Sequence, residues 1–592
     1  MKIEKLKIHN WRSIADEEIL FNDMVILIGQ NNCGKSNIIS SLLFFFGTIA
    51  HNSLDFHHIS NDLFIEVTFY DLDEFDQNQF KKYLSPEGKI CVRKTVNEAS
   101  EITYNGYVSS PIEDFLQDDA TTLKREDAEN TPLKEYLPVS GRLTKEMVKN
   151  AQQEYIKLNI ETLEFHYKLE SSNFLGVKSV AKGIFGEVYF IPAVKNASDE
   201  FKTTGTTIFN QLFSQIITKM SLENAHYKMA REQMQALTQI LNKNNNAGEE
   251  NLNRPYEIKS LESSLEAELK KWNTTIDIEI TPPNIEDVLK VNTNIWVDDG
   301  KRTDIGRKGH GLQRSMIFAL IKSWAAFLRS ERIEKDEDNI DDFTKPKRRA
   351  SESTFFFFEE PELFLHPQAQ KELYASLKEL SKADYQVILC THSSSFLDLE
   401  DYKSISIVNK VDSVVGTKIK QFTSELFEAD EKTNFNLIYW LNPERSELFF
   451  ATKVILVEGP TDKTIIPKLA KQLDVFRFDY SIIECGGKDN LKLYIKLLNN
   501  FNIPYIAVYD KDHQVDKDIN AINSADISST KIEEAVVREI GSSIIFNNDI
   551  EEEIGITDKN NKNKPFIALT EISKEEFIVS LALKEKIISI YK

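Results

Sequence analysis

The segment Gly29-Gln30-Asn31-Asn32-Cys33-Gly34-Lys35-Ser36 constrains this chain more than any other, because it follows directly on the apolar run Met24-Val25-Ile26-Leu27-Ile28. A short apolar run reads as a buried strand, and G-x-x-x-x-G-K-S after such a strand reads as a tight loop that opens a helix. Backbone N–H groups of the loop and the helix N-terminus cradle phosphate oxygens, the lysine neutralises them, and the serine hydroxyl holds Mg²⁺. Gly29, Asn32, Gly34, Lys35, Ser36 and Asn37 are the expected nucleotide-binding residues, with Ser36 also a metal ligand. The expected fold class is α/β.

Two later runs suit the same sheet. Phe355-Phe356-Phe357-Phe358-Glu359-Glu360 is a buried-strand pattern whose phenylalanines read as core and whose paired acids stand at the strand's C-terminal end. Ligands of α/β sheets bind at such ends. Glu359 is expected to order Mg²⁺ through water and Glu360 to polarise an attacking water. Val387-Ile388-Leu389-Cys390-Thr391-His392-Ser393 supplies a further strand ending in a histidine, placed to sense a terminal phosphate.

A chain of 592 residues is too long for one core and predicts three or four domains. Its apolar runs fall short of the roughly 18 residues of a membrane span, and Met1-Lys2-Ile3-Glu4-Lys5 lacks the apolar centre of a signal peptide. A soluble, cytoplasmic protein without a membrane partner is expected. Cys33, Cys91, Cys390 and Cys485 have no metal-ligand spacing, so no zinc site is indicated. The net charge of −21 looks unfavourable for a nucleic-acid partner, yet only local basic patches decide that, and carboxylates gathered at a metal site are neutralised by cations.

Alternating segments at 63–70, 89–96 and 102–107 predict antiparallel strands, and Val188-Tyr189-Phe190-Ile191-Pro192 a buried strand, while Glu113 to Asn130 reads as an acidic loop. Between 197 and 290 the period becomes helical: Ile208, Leu212, Phe213, Ile216, Ile217 and Met220 form one stripe, and Ile258, Leu261, Leu265, Leu269 and Trp272 another. The polar run Asn242 to Asn246 separates them. This segment reads as a helical hairpin, either a cover for the sheet or a dimerisation arm. Residues 330–352, with the basic run Lys345 to Arg349, and 558–563 read as solvated loops.

A second alternation of strands and helices begins after Ala451. Strands at Val454–Val457, Tyr480–Glu484 and Tyr505–Tyr509, a helix from Asp462 and a Gly486-Gly487 turn predict a small parallel sheet. Glu458, Asp510 and Asp512 then gather at one edge, a hard-oxygen site for Mg²⁺ or Mn²⁺, where two ions activate water and stabilise the leaving oxygen of a phosphodiester.

The first set of motifs resembles ABC-type ATPases of the SMC and RecF group, and the two sets in series resemble the OLD-family nucleases, an ATPase followed by a Toprim domain. The resemblance implies an ABC-type ATPase sheet with an inserted helical arm, then a Rossmann-like Toprim domain. The expected segments are 1–196 and 291–447 for the ATPase, 197–290 for the arm and 448–592 for Toprim. It implies ATP as cofactor and a signature segment at Lys308 to Arg314, which makes Gly309, Gly311 and Gln313 nucleotide-binding. His392 becomes the switch histidine.

It further implies Asp462 as a second acid after Glu458, Glu551 as a metal ligand in Asp549-Ile550-Glu551, and Lys564 as a catalytic lysine. The activity so implied is metal-dependent DNA cleavage controlled by ATP, in defence against phage, by a homodimer or dimer of dimers with a possible operon partner protein or retron nucleic acid. Two alternatives stay open: a Toprim ribonuclease acting on tRNA or other RNA, and a DNA-binding ATPase that does not cut. A topoisomerase or primase needs a separate cleavage domain that the sequence does not suggest.

Overall fold

The computed structural model describes residues 1–58, 61–97, 99–117, 120–121, 124–138, 141–159, 162–177, 180, 183–193, 207, 209–210, 213–214, 217, 224–244, 251, 254–269, 276–279, 295–309, 311–313, 315–320, 323, 351, 353–382, 385–412, 414–426, 445–514, 517–556 and 563–592. The chain divides into two compact units. The first comprises Met1–Ala193, Lys345–Leu363 and Gln370–Lys592, the second Val194–Thr344 and Phe364–Ala369.

In the first unit Met24–Ile28 is a wholly buried strand of a six-stranded sheet. Across it run Thr417–Gln421, Ile405–Lys410, Met24–Ile28, Gln386–Cys390, Thr354–Glu359 and Glu187–Ile191. All pairs are parallel except Ile405–Lys410 with Thr417–Gln421. Strands covered on both faces read as continuous apolar runs, which is why four successive phenylalanines occur here. Alternation sends Phe355 and Phe357 towards Phe46, with ring centroids 5.1 and 6.4 Å away, and Phe356 towards Tyr189 and Tyr385 on the other face.

An antiparallel sheet of order Ile14–Leu20, Lys2–Trp11, Leu63–Tyr70, Ile90–Val96, Ile102–Pro111 and Phe165–Leu169 shares one core with the helix Lys35–Phe45 and the parallel sheet. The stretch read as an acidic loop also contains the 3₁₀ turn Asp114–Leu116 and the helix Arg125–Glu129, which pack Leu116 and Ala128 into a small cluster with Leu133, Val148 and Ala151. Tertiary burial of two apolar residues outweighs the polar composition there.

The C-terminal sheet is four-stranded and parallel, in the order Tyr480–Glu484, Lys453–Val457, Tyr505–Asp510, Gly541–Phe546. Its fourth strand went unread in the sequence because Gly541-Ser542-Ser543 carries no apolar alternation. Register pairs Val457 with both Glu484 and Val508, and Asp510 with Phe546, so the ends bearing Glu458 and Asp510 lie side by side. Helices Pro460–Gln472, Lys564–Ile572 and Leu581–Tyr591 supply apolar faces to this core.

The second unit holds the helices Ala225–Leu241 and Tyr256–Glu268 and a two-stranded ladder of Trp296–Val297 with Thr303–Asp304. Arg254 binds Glu262 through two hydrogen bonds of 2.7 Å, and Glu262 also accepts from the Ile278 N–H. Leu212, Ile216 and most of the first helical stripe, Trp272, His310, Arg314, the basic run Lys345 to Arg349, and Lys559 and Lys562 lie outside the described residues. Among the described residues no helix is long and apolar enough to cross a membrane.

Candidate nucleotide and metal sites

The loop after Met24–Ile28 takes the conformation its glycines permit. Gly29 and Gly34 have φ of 150° and 111°, and a Cβ on either would lie 2.1 Å from the Val408 carbonyl oxygen or 2.3 Å from the Thr417 hydroxyl. Asn32 adopts φ 62°, the left-handed region that asparagine tolerates. Buried Lys35 curls back, its ammonium donating to the carbonyls of Gly29 (3.0 Å) and Gln30 (2.9 Å). Ser36 is exposed beside it, while the Asn37 amide donates to the Ser13 hydroxyl at 2.7 Å. Asn37 therefore braces the loop against the preceding hairpin.

Parallel register brings Glu359 level with Cys390, so the paired acids and His392 meet at one sheet edge. Glu360 has φ 44° and its N–H donates to the Cys390 carbonyl at 2.8 Å. His392 Nε2 stands 3.6 Å from Glu360 Oε1. Burial first and the Lys35 ammonium second hold His392 below its ordinary pKa, against the pull of Glu360, so it is a neutral imidazole near pH 7. Glu362 was missed at the sequence level as a partner: its Oε1 accepts the His392 N–H at 2.6 Å, and burial raises its pKa. Gly309, Gly311 and Gln313 belong to the second unit, where Gln313 is buried and donates to the Lys308 carbonyl at 2.7 Å.

At the C-terminal sheet Glu458 Oε1 accepts the Asp510 N–H at 2.8 Å, and Asp462 Oδ2 accepts the Gly459 N–H at 3.2 Å, which caps its helix. Burial raises Glu458 and Asp462 to about 7 and Asp510 to about 9, each reinforced by neighbouring carboxylates. Asp462 feels Glu458 and Glu551, and Asp510 feels Asp462, Glu458, Asp512 and Asp549, so six acids from three chain segments form one repelling set. Asp510 Oδ1 is buried without a hydrogen-bond partner. Among the described residues no three such side chains are drawn to chelating distance in this arrangement, as expected of unneutralised like charges.

Asp512 has φ 65°, and its carboxylate meets the ammonium groups of Lys517 (2.7 Å) and Lys488 (3.7 Å). Glu551 is buried at the start of the helix Ile550–Glu553, and Lys564 stands 3.8 Å from it. Asp549 caps that helix and accepts from Gln514 at 2.8 Å. The structure thus gathers Glu458, Asp462, Asp510, Asp512 and Glu551 at one edge and sets Lys564 at its margin. Lys488 and Lys517 had not been singled out, although a lysine opening a helix after Gly486-Gly487 was a legible signal. A buried, unpartnered carboxylate oxygen among raised-pKa acids fits a divalent cation.

The nucleotide loop also touches the approach to the C-terminal sheet. The Gln30 amide donates to the Thr452 hydroxyl at 3.3 Å, one residue before the strand Lys453–Val457 whose far end leads to Glu458. A cavity of about 630 Å³ separates the two regions, walled by Gly29 to Cys33 on one side and by Phe449 to Thr452 and Asn502 to Pro504 on the other.

Fold and sites together define a nucleotide-loop ATPase carrying a Toprim carboxylate centre. Residues 1–397 match the AAA ATPase domain family, and residues 449–512 the overcoming lysogenization defect protein-like TOPRIM domain. The chain belongs to the AAA ATPase domain family and carries an OLD-like TOPRIM domain; it is an ATP-dependent nuclease. It is similar to the Old nuclease of Escherichia phage P2, 23% identical over 86% of this chain and 77% of that protein. The OLD nuclease of Thermus scotoductus is 32% identical over 26% of this chain and 30% of its own length. The endonuclease GajA of Bacillus cereus strain HuB5-5 is 21% identical over 88% and 78%.

Proposed function

We propose that this chain is an endonuclease that cuts DNA with Mg²⁺ or Mn²⁺ at the Toprim edge, under the control of ATP and Mg²⁺ at the nucleotide loop, in defence against phage. The observation that carries the reading is the buried Asp510 oxygen without a partner, amid acids whose pKa values burial first and mutual repulsion second have raised. A divalent ion bound there supplies charge for a phosphodiester oxygen and a lowered pKa for water. The chain's own part is to hold Glu458, Asp462, Asp510, Asp512 and Glu551 as oxygen donors, with Lys564 beside Glu551 as a cation for the phosphate. Glu360 serves ATP hydrolysis, with His392 at the terminal phosphate.

Two features support control by ATP and assembly as a dimer. The Gln30–Thr452 contact connects the nucleotide loop with the strand leading to Glu458, so a ligand that prefers one loop arrangement biases the other centre. The 17-residue helix Ala225–Leu241 buries none of its residues and exposes Met229, Leu237 and Ile240, which suits the dimerisation arm expected within 197–290. Relatives named nuclease or endonuclease support the reaction. Purified protein incubated with plasmid and with tRNA, each with Mg²⁺ or Mn²⁺, should cut the plasmid. Cutting of tRNA alone overturns the substrate, and no cutting of either overturns the reading. Light scattering with ATP at micromolar concentration should give two chains or four.

A further inference from the structure

The helix Lys488–Asn500 starts at the carboxylate edge because the Gly486-Gly487 turn, with φ of 74° and 131°, brings the chain round there. The Gly487 N–H donates to the Glu458 carbonyl at 2.9 Å, which ties this turn to the backbone of the first acid. From the next residue the Lys488 ammonium donates to the Asp510 carbonyl and stands 3.7 Å from Asp512 Oδ2. It also lies 5.4 Å from the Tyr509 ring centroid. The Lys488 side chain is 9% exposed, against 33% for Lys517 and 42% for Lys564. Three acids on two strands are thus tied together by one turn and one buried ammonium. A buried charge persists only where it is matched, and here the match is the acid set itself.

We propose that Lys488 is a positioning residue for metal-dependent cleavage: it braces Glu458, Asp510 and Asp512 into one set of oxygens that a divalent cation can enter. The inference rests on the reading of this edge as a metal site. It makes a prediction of unusual sign. Deleting a positive charge beside a cation site strengthens cation binding by Coulomb's law, whereas deleting a brace disperses the donors and weakens it. Lys517 holds the Asp512 side chain at 2.7 Å, whereas Lys488 also holds the Asp510 backbone, so loss of Lys517 frees one side chain at most and exercises chiefly the Coulomb effect.

Calorimetric titration of the full-length protein with Mn²⁺ separates these effects without any reading of activity. Lys488→Met should bind Mn²⁺ at least about tenfold more weakly than wild type, and Lys488→Arg, which keeps a charged donor, should recover most of that loss. Lys517→Met should bind as tightly as wild type or more so. Wild-type affinity in Lys488→Met overturns the proposal while leaving the metal site standing; absence of Mn²⁺ binding by wild type overturns the site as well. Should Lys488→Met fail to fold, Lys488→Ala carries the same test, since it too removes donor and charge together and is expected to weaken binding. Wild-type affinity there overturns the brace equally.

Discussion

The nucleotide loop and the Toprim edge stand on the same scaffold and differ in how their charges are matched. Each hangs acids from the C-terminal ends of parallel strands, and each holds one acid, Glu360 or Asp512, in left-handed backbone at a cost of about 1–3 kcal/mol. Around the loop the protein supplies most partners itself: Lys35 rests on the carbonyls of Gly29 and Gln30, and Glu362 Oε1 receives the His392 backbone N–H, although Glu362 Oε2 is buried without a partner. At the Toprim edge six acids lean on one another, and Asp510 keeps a buried oxygen bare. A site for an anion is made of dipoles and a cation that the fold itself can satisfy. A site for a cation is made of like charges, which remain under tension until a counter-charge arrives.

The sharpest way to break this comparison is to remove one acid. Asp510→Ala should lower DNA cleavage by at least about a thousandfold while ATP hydrolysis stays within about twofold, as separate centres in one chain require. Plasmid nicking and phosphate release from the same preparation check it, and parallel loss of both would mean that the two centres are not separable. Lys35→Ala should lower ATP turnover by about a hundredfold or more, because it removes the loop's own positive charge from the phosphate oxygens. Persistent turnover in a phosphate-release assay would remove Lys35 from the site.

Glu360→Gln should bind ATP and hydrolyse it about a hundredfold more slowly, and in ATP its cleavage rate should depart from wild type by at least about threefold. Equal cutting by wild type, Lys35→Ala and Glu360→Gln, with and without ATP, would show that the two centres do not communicate.

The smallest expected effect concerns Lys94, a buried lysine that donates to the Phe44 carbonyl between the Phe44 and Tyr104 rings. Burial lowers its pKa to about 7. Between that value and the ordinary 10.5 the unfolded chain binds the extra proton, so stability rises with pH across this window and flattens below it. The rings and the carbonyl favour the charged form and temper the total rise to about 1–2 kcal/mol. Lys94→Met should remove that rise in urea melts between pH 7 and 10; an unchanged slope would place the titration elsewhere.

Legibility differed between the two centres for a physical reason. The nucleotide loop lies within eight consecutive residues, so strand, turn and helix start are all local and their residue types are dictated locally. The strand Thr354–Glu359 and the approach to His392 were legible for the same reason, as buried apolar runs with polar ends. At the Toprim edge the three leading acids were readable because each ends a recognisable strand or opens its following turn, whereas the strand Gly541–Phe546 and the partner Lys517 were not. No local periodicity marks this edge strand, in which Phe546 alone is buried.

By itself the sequence determined which residue types are available at each strand end, since hydrophobic runs, glycine turns and helix starts follow from local sterics and burial. Tertiary structure alone decided that Glu458, Asp462, Asp510, Asp512, Asp549 and Glu551 share one field, that Glu362 rather than a nearer acid receives the His392 N–H, and that Gln30 reaches Thr452. These are contacts between residues tens to hundreds of positions apart. Strand order and register fix them, and both are outcomes of packing the whole sheet.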